Sequence, residues 1–241
     1  METWMFAILI LSSFIAALIS GAAGFGGSLL LLPVVTACVG AEIAVPVLTL
    51  AQLIGNISRM GTGFKQIKWG AVGWFCLTAL PLSALGAFGF SVLPKDVVTR
   101  CIGAVLILLV IFKVKKIFEL KGNKGTLLIG GAITGGVSGL AGSGGPIGAA
   151  IFLSLGLPPV AYIASEATTA TAMHILKTII YSKLTSLTLQ TLLVGLVMGA
   201  AMIVGTLVAN KFIKNMDKNK FQKYVAVLLC VVGAYMLFFG A

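Results

Sequence analysis

Four stretches of this chain, Trp4–Ser20, Thr126–Leu140, Gln190–Ala209 and Tyr224–Phe239, run for fifteen to twenty residues without one charged side chain. Segments of that length and Leu/Val/Ile/Gly content match spanning helices, which need about 20 apolar residues when upright. They lack the alternation of membrane β-strands. The inventory leaves no other solvent than hydrocarbon. Only 10% of the 241 residues are charged and 59% are hydrophobic, against about 25% charged in a soluble domain. The fold class expected is therefore an all-α integral membrane protein, a polytopic helical bundle. The chain begins Met-Glu-Thr-Trp, with no basic residue before the first apolar run. A cleaved signal needs a positive n-region, so this run is read as a retained helix.

The chain also repeats itself. Residues 20–27 read SGAAGFGG and residues 138–145 read SGLAGSGG, six identical positions of eight at an offset of 118. The same offset sets Asn56 on His174, Arg59 on Lys177 and Lys65 on Lys183. One transmembrane domain over 1–241 is expected to divide into repeat half 1 (about 4–112), a basic cytoplasmic linker (113–125) and repeat half 2 (about 126–240). The first half reads as segments 4–20, 28–39, 43–60, 69–90 and 97–112. Five is odd, so the second half is expected to enter the membrane inverted. The segments after the two Gly-rich stretches, 28–39 and 146–156, are short for a full span. Each half is expected to carry a broken or re-entrant helix pair there.

Charge sets the expected orientation. Two clusters of five lysines, Lys113–Lys124 and Lys211–Lys223, join Arg59, Lys65 and Lys68 on one side, thirteen of the seventeen basic residues. Lys95, Arg100 and Lys183 fall on the other, and Lys177 lies inside a predicted helix. The positive-inside rule places the thirteen in the cytoplasm and both termini outside. It also accounts for the net charge of +11 without nucleic acid. Cys38, Cys76, Cys101 and Cys230 are scattered through apolar runs with no disulfide or metal spacing. No HExxH, Walker A or CxxC motif is present, and the lone His174 belongs to no nucleophile–base pattern. Neither an enzyme nor a cofactor or metal is expected.

Two constellations point to chemistry. Gly24, Gly26, Gly27 and Ser28 in one half, and Gly142, Ser143, Gly144 and Gly145 in the other, each open a short helix. Glycine admits positive φ and close approach of another atom. A helix N-terminus offers unpaired N–H groups and partial positive charge, which favour an anion. Two such ends from inverted halves are expected to converge. The competing account is that these glycines only allow tight packing. Second, Thr49, Gln52, Asn56 and Arg59 are spaced to share one helical face, and His174 and Lys177 hold matching places in the second half. Polar residues in membrane helices usually face the bundle interior or a cavity. Arg59 near a helix end has the alternative of snorkelling to the interface. Glu166, one of two acids near apolar segments with Glu42, has three readings: binding a proton, pairing with Lys177, or sitting satisfied near the cytoplasmic helix end.

These residues carry a resemblance. SGAAGFGGSLLLLP and SGLAGSGGPIGAAIFL resemble the two signature repeats of the sulfite exporter TauE/SafE family of membrane permeases. LAQLIGNISRMG and LGLPPVAYIASEATTATAMHILKTIIY extend the similarity, which covers about residues 5 to 239. Pro146 departs from it, standing where a further small residue is common. The resemblance implies a secondary carrier in the bacterial inner membrane, moving sulfite or another small sulfur-containing or organic anion by alternating access. An anion channel, or a non-transporting assembly or sensor protein, stays open as the alternative. The expected partners are a small anionic substrate and the lipid bilayer, with a homodimer left open.

Overall fold

The computed structural model describes residues 3–23, 27–92, 122–142, 144–184 and 188–217, with residues 219, 220, 223, 224 and 227. Its regular elements are all helical: α1 Thr3–Ala23, α2 Gly27–Val39, α3 Ala41–Thr62, a 3-10 turn Phe64–Gln66, α4 Trp69–Val92, α5 Lys124–Ala141, α6 Gly145–Ser154, α7 Pro159–Leu184 and α8 Leu189–Ile213. The expected segments 97–112 and 224–239 lie outside the described residues, apart from Tyr224 and Val227. Most of the linker does too, although α5 begins inside its last residues.

Local chemistry explains several boundaries. Asn123 caps α5, its side-chain oxygen accepting from the Thr126 N–H at 2.9 Å. Thr188 caps α8 through the Thr191 N–H at 3.2 Å. Each satisfies one of the orphan donors of a helix start. The turn between α2 and α3 passes through Gly40 at φ 84°, and α5 ends on Gly142 at φ 70°, left-handed conformations that glycine adopts without steric cost.

Among the described residues, four helices are long and apolar enough to cross a membrane: Trp4–Gly21, Ile43–Thr62, Trp69–Phe90 and Leu189–Ile213. Their outward side chains, among them Leu11, Leu77, Leu85, Leu189 and Phe212, are apolar and exposed, as a lipid-facing surface requires. The chain is a multi-pass membrane protein. α7 is different. Every residue from Ala161 to Thr171 is buried, so its Ser, Glu and Thr side chains are shielded from lipid by neighbouring helices.

Glycine sets how close those neighbours come. Gly131, Gly135 and Gly139 recur every fourth residue along α5. A Cβ at each would run into the carbonyl oxygens of Phe75, Ala79 and Ser83 on α4. This is the small-residue contact by which membrane helices bring their backbones together. On the other side of the bundle, Gly205 of α8 lies against the Phe14 carbonyl of α1, and Gly199 against Ile54 of α3. The helix contacts come in matched pairs. α1 packs on α8 as α5 packs on α4, and α3 packs on α8 as α7 packs on α4. Likewise α2 touches α1 and α3 as α6 touches α5 and α7, while α3 and α7 pack on each other at the centre.

Candidate functional site

The two short helices, α2 and α6, begin at the wall of one cavity of about 30 Å³ between α3 and α7. A water needs roughly 10–15 Å³ by the same measure, so the space admits about two water-sized groups. Gly27 and Ser28 reach it from the start of α2, and Gly142, Gly144, Gly145 and Gly148 from the end of α5 and the start of α6. Gln52, Asn56 and Arg59 project from α3, their spacing of three to four residues giving them one face. Glu166, Thr169, Ala170, Met173 and His174 come from α7, and Thr134 and Ser138 from α5.

Two glycines in the wall are required by geometry. Gly142 needs its positive φ. A Cβ on Gly144 would sit 2.6 Å from the Thr134 carbonyl oxygen, so this position also serves tight packing on α5. Pro146 stands in the first turn of α6, where a missing N–H costs nothing. Ser28 falls inside the first turn of α2 rather than before it.

Arg59 turns inward, not out to the interface: it is buried. One guanidinium nitrogen donates to the Ser20 carbonyl oxygen at 3.2 Å, and the other donates to Asn56 Oδ1. That second nitrogen also lies 3.2 Å from Glu166 Oε2. Glu166 Oε2 has no aligned hydrogen bond, so the contact is an ion pair held by proximity. Glu166 thus faces Arg59, not Lys177.

Lys177 repeats half of this arrangement. Its Nζ donates to the Ser138 carbonyl oxygen at 3.1 Å and to Ser138 Oγ at 2.9 Å. Ser138 is the offset partner of Ser20, as Lys177 is of Arg59, so each half anchors its cation on the serine that opens its Gly-rich stretch. Lys177 is fully buried but stands behind the cavity and is not among its lining residues. Arg59 faces two spaces. It also lines a second cavity of about 10 Å³ with Gly21, Thr62, Val160, Ile163, Thr206 and Asn210.

Four cavity residues hold a buried polar atom without a hydrogen-bond partner: Gln52 Nε2, Thr134 Oγ1, Glu166 Oε2 and His174 Nδ1. Leaving such an atom unpaired costs about 1–3 kcal/mol, and native proteins tolerate few of them. All four lie around this one space. Gln52 Nε2 is a donor and the Thr134 hydroxyl is able to donate, while Glu166 is the one acid among the described lining residues.

Of the residues expected from sequence, Gly27, Ser28, Gln52, Asn56, Arg59, Gly142, Gly144, Gly145 and His174 meet at this cavity. Gly24, Gly26 and Ser143 lie outside the described residues. Thr134, Ser138, Gly148, Thr169, Ala170 and Met173 were not singled out. The spacing rule applied to α3 finds some of them on α7, since Glu166, Thr169/Ala170 and Met173 recur at three and four. Thr134, Ser138 and Gly142 recur every fourth residue along α5.

A family model described as Sulfite exporter TauE/SafE matches residues 9–236, a span that includes the whole cavity wall. No curated protein and no solved structure matches the chain.

Proposed function

This chain belongs to the sulfite exporter TauE/SafE family of membrane transporters, and we propose that it carries a small anion through the cavity between α3 and α7. The observation that carries this reading is the convergence of two helix starts and a buried Arg59 on one donor-lined space. Backbone N–H groups of Gly24, Gly26, Gly27 and Ser28, and of Ser143, Gly144 and Gly145 after the Gly142 turn, would receive the anion's oxygens. Gln52, Asn56, Arg59 and His174 would supply side-chain donors. Lys177 would act through its positive charge and its hold on Ser138 rather than by touch.

The halves are proposed to be inverted repeats with re-entrant glycine tips. The matched helix contacts and the matched anchoring of Arg59 and Lys177 support this. Alternating access follows from one half rocking on the other. Arg59, shared by both cavities, would then close the route towards the α3 C-terminus. In the bacterial inner membrane that end is proposed to face the cytoplasm, with both termini outside. Sulfite or another small sulfur-containing or organic anion is the proposed cargo.

A thermal-shift screen of the purified protein against sulfite, sulfate, thiosulfate, sulfoacetate and small carboxylates tests the reading. A ligand of the folded state raises the melting temperature with concentration. Binding anions should then show saturable counterflow in proteoliposomes. Flux without saturation or counterflow would mean a channel, and no response to any anion would overturn the assignment.

A further inference from the structure

We propose that this cavity binds a proton together with its anion, and that the Glu166 carboxylate is the group that takes it. The proposal rests on the anion reading above and names its coupling ion. Two features of the molecule single Glu166 out. The first is an asymmetry between the halves. Arg59 and Lys177 occupy equivalent places, and each is anchored on a serine carbonyl. Among the described residues Lys177 has only Ser138 and no acid beside it, so an acid is no part of the anchoring the two positions share. Only Arg59 has one. The residue at the offset position of Glu166 is Leu48, a buried apolar side chain. The acid breaks the repeat, and it does so at the cavity wall.

The second feature is competition. Glu166 Oε2 lies against Arg59 without an aligned hydrogen bond, in the position an anionic guest would take. An anion that displaces it leaves two negative groups side by side in a medium of low dielectric, where an uncompensated charge is costly. A proton from solution removes the conflict. Glu166 becomes a neutral carboxyl, Arg59 turns its charge to the anion, and for a monoanion the total charge of the cavity is unchanged. Release reverses both steps, so proton and anion travel in the same direction.

The groups around Glu166 are few. Arg59 faces it from α3, while Tyr162, His174 and Lys177 share its own helix. Tyr162 is bonded to the Ala149 carbonyl at 3.4 Å, and Lys177 points to Ser138. Among the described residues, α4, α5, α6 and the 3-10 turn place no titratable side chain in the cavity wall. His174, whose Nδ1 lacks a partner in the same cavity, is the rival acceptor among the described residues of the cavity wall.

The test is titration calorimetry of the full chain in nanodiscs with methanesulfonate and isethionate, monoanions of strong acids whose single charge is constant across the neutral pH range. Titrations at one pH in two buffers of different ionisation heat count the protons taken up per anion. The wild type should take up to one proton, and affinity should fall by up to about tenfold per pH unit on the alkaline side. Glu166→Gln, a mimic of the neutral carboxyl, should bind without proton uptake and without pH dependence. Glu166→Asp, which keeps a carboxylate should Gln fold poorly, should retain uptake, and His174→Gln should retain it too. Anion binding with no proton uptake in the wild type overturns the coupling and leaves the anion site standing. Uptake lost in His174→Gln but kept in Glu166→Gln moves the proton to His174 and also overturns it. No binding by any of these anions removes the reading beneath both.

Discussion

The Arg59–Glu166 pair can be tested as a fold element, separately from transport. The two partners are unequally supported. Arg59 has the Ser20 carbonyl and Asn56 Oδ1 besides the acid. Glu166 Oε2 has only the guanidinium beside it. Arg59→Gln therefore strands a buried carboxylate and also strips two acceptors of their donor. Removing one member of a buried pair costs about 3–5 kcal/mol. Glu166→Gln leaves the cation with two hydrogen bonds, and its loss should be nearer one ordinary interaction, about 1–1.5 kcal/mol. The double variant removes the stranded charge, so its loss should fall short of the sum of the two single losses by roughly 1.5–3 kcal/mol of coupling, enough to leave it at least as stable as Arg59→Gln alone. Reversible unfolding in mixed micelles at neutral pH measures all four corners of the cycle. If the two losses are equal, or if the double variant is the least stable of the four, the pair is not the support described.

Other expectations follow from the same geometry. Gly135→Val should abolish folded protein, because its side chain meets the Ala79 backbone, while Gly136→Ala, with open space at its Cβ, should express normally and gain up to about 1 kcal/mol in helix propensity. Size-exclusion profiles distinguish the two, and equal tolerance would refute the close α4–α5 approach. Gln52→Leu removes an unpartnered amide nitrogen beside Gly27. Stability should hold or rise, and anion affinity should drop about ten- to a hundredfold for the lost hydrogen bond to a charged group, about 1.5–3 kcal/mol; an unchanged thermal response to the anion would remove Gln52 from the site. In a cysteine-free background, Gln66→Cys on the 3-10 turn should react with a membrane-impermeant thiol reagent only after cells are opened. Leu184→Cys, at the far end of α7, should react in intact cells, and the opposite pattern would reverse the proposed orientation.

Much of this molecule is written locally. Uncharged runs of fifteen to twenty residues without strand alternation point to membrane helices, because hydrocarbon offers the backbone no other partner, and α1, α5 and α8 lie where those runs fall. The offset of 118 pairs Arg59 with Lys177 and Ser20 with Ser138, and each basic side chain donates to the serine carbonyl so paired. Periodicity on α3 brought Gln52, Asn56 and Arg59 to one face, since neighbours at three and four residues share a face whatever surrounds them.

What equivalence does not specify is the partner across the helix interface. α7 reads as too polar for a spanning helix, and only the helices wrapped around it explain how its threonines and Glu166 stay out of lipid. Sequence left Glu166 free to pair with Lys177 on its own helix, and left Arg59 free to reach for the interface. The packing of α3 against α7 decided both. It set the guanidinium over the carboxylate, turned it into the bundle, and left Lys177, its equal by position, on Ser138 behind the cavity. A charge in a low-dielectric interior goes to whichever partner the helix packing brings within a few ångströms, and that distance is a property of the tertiary fold alone.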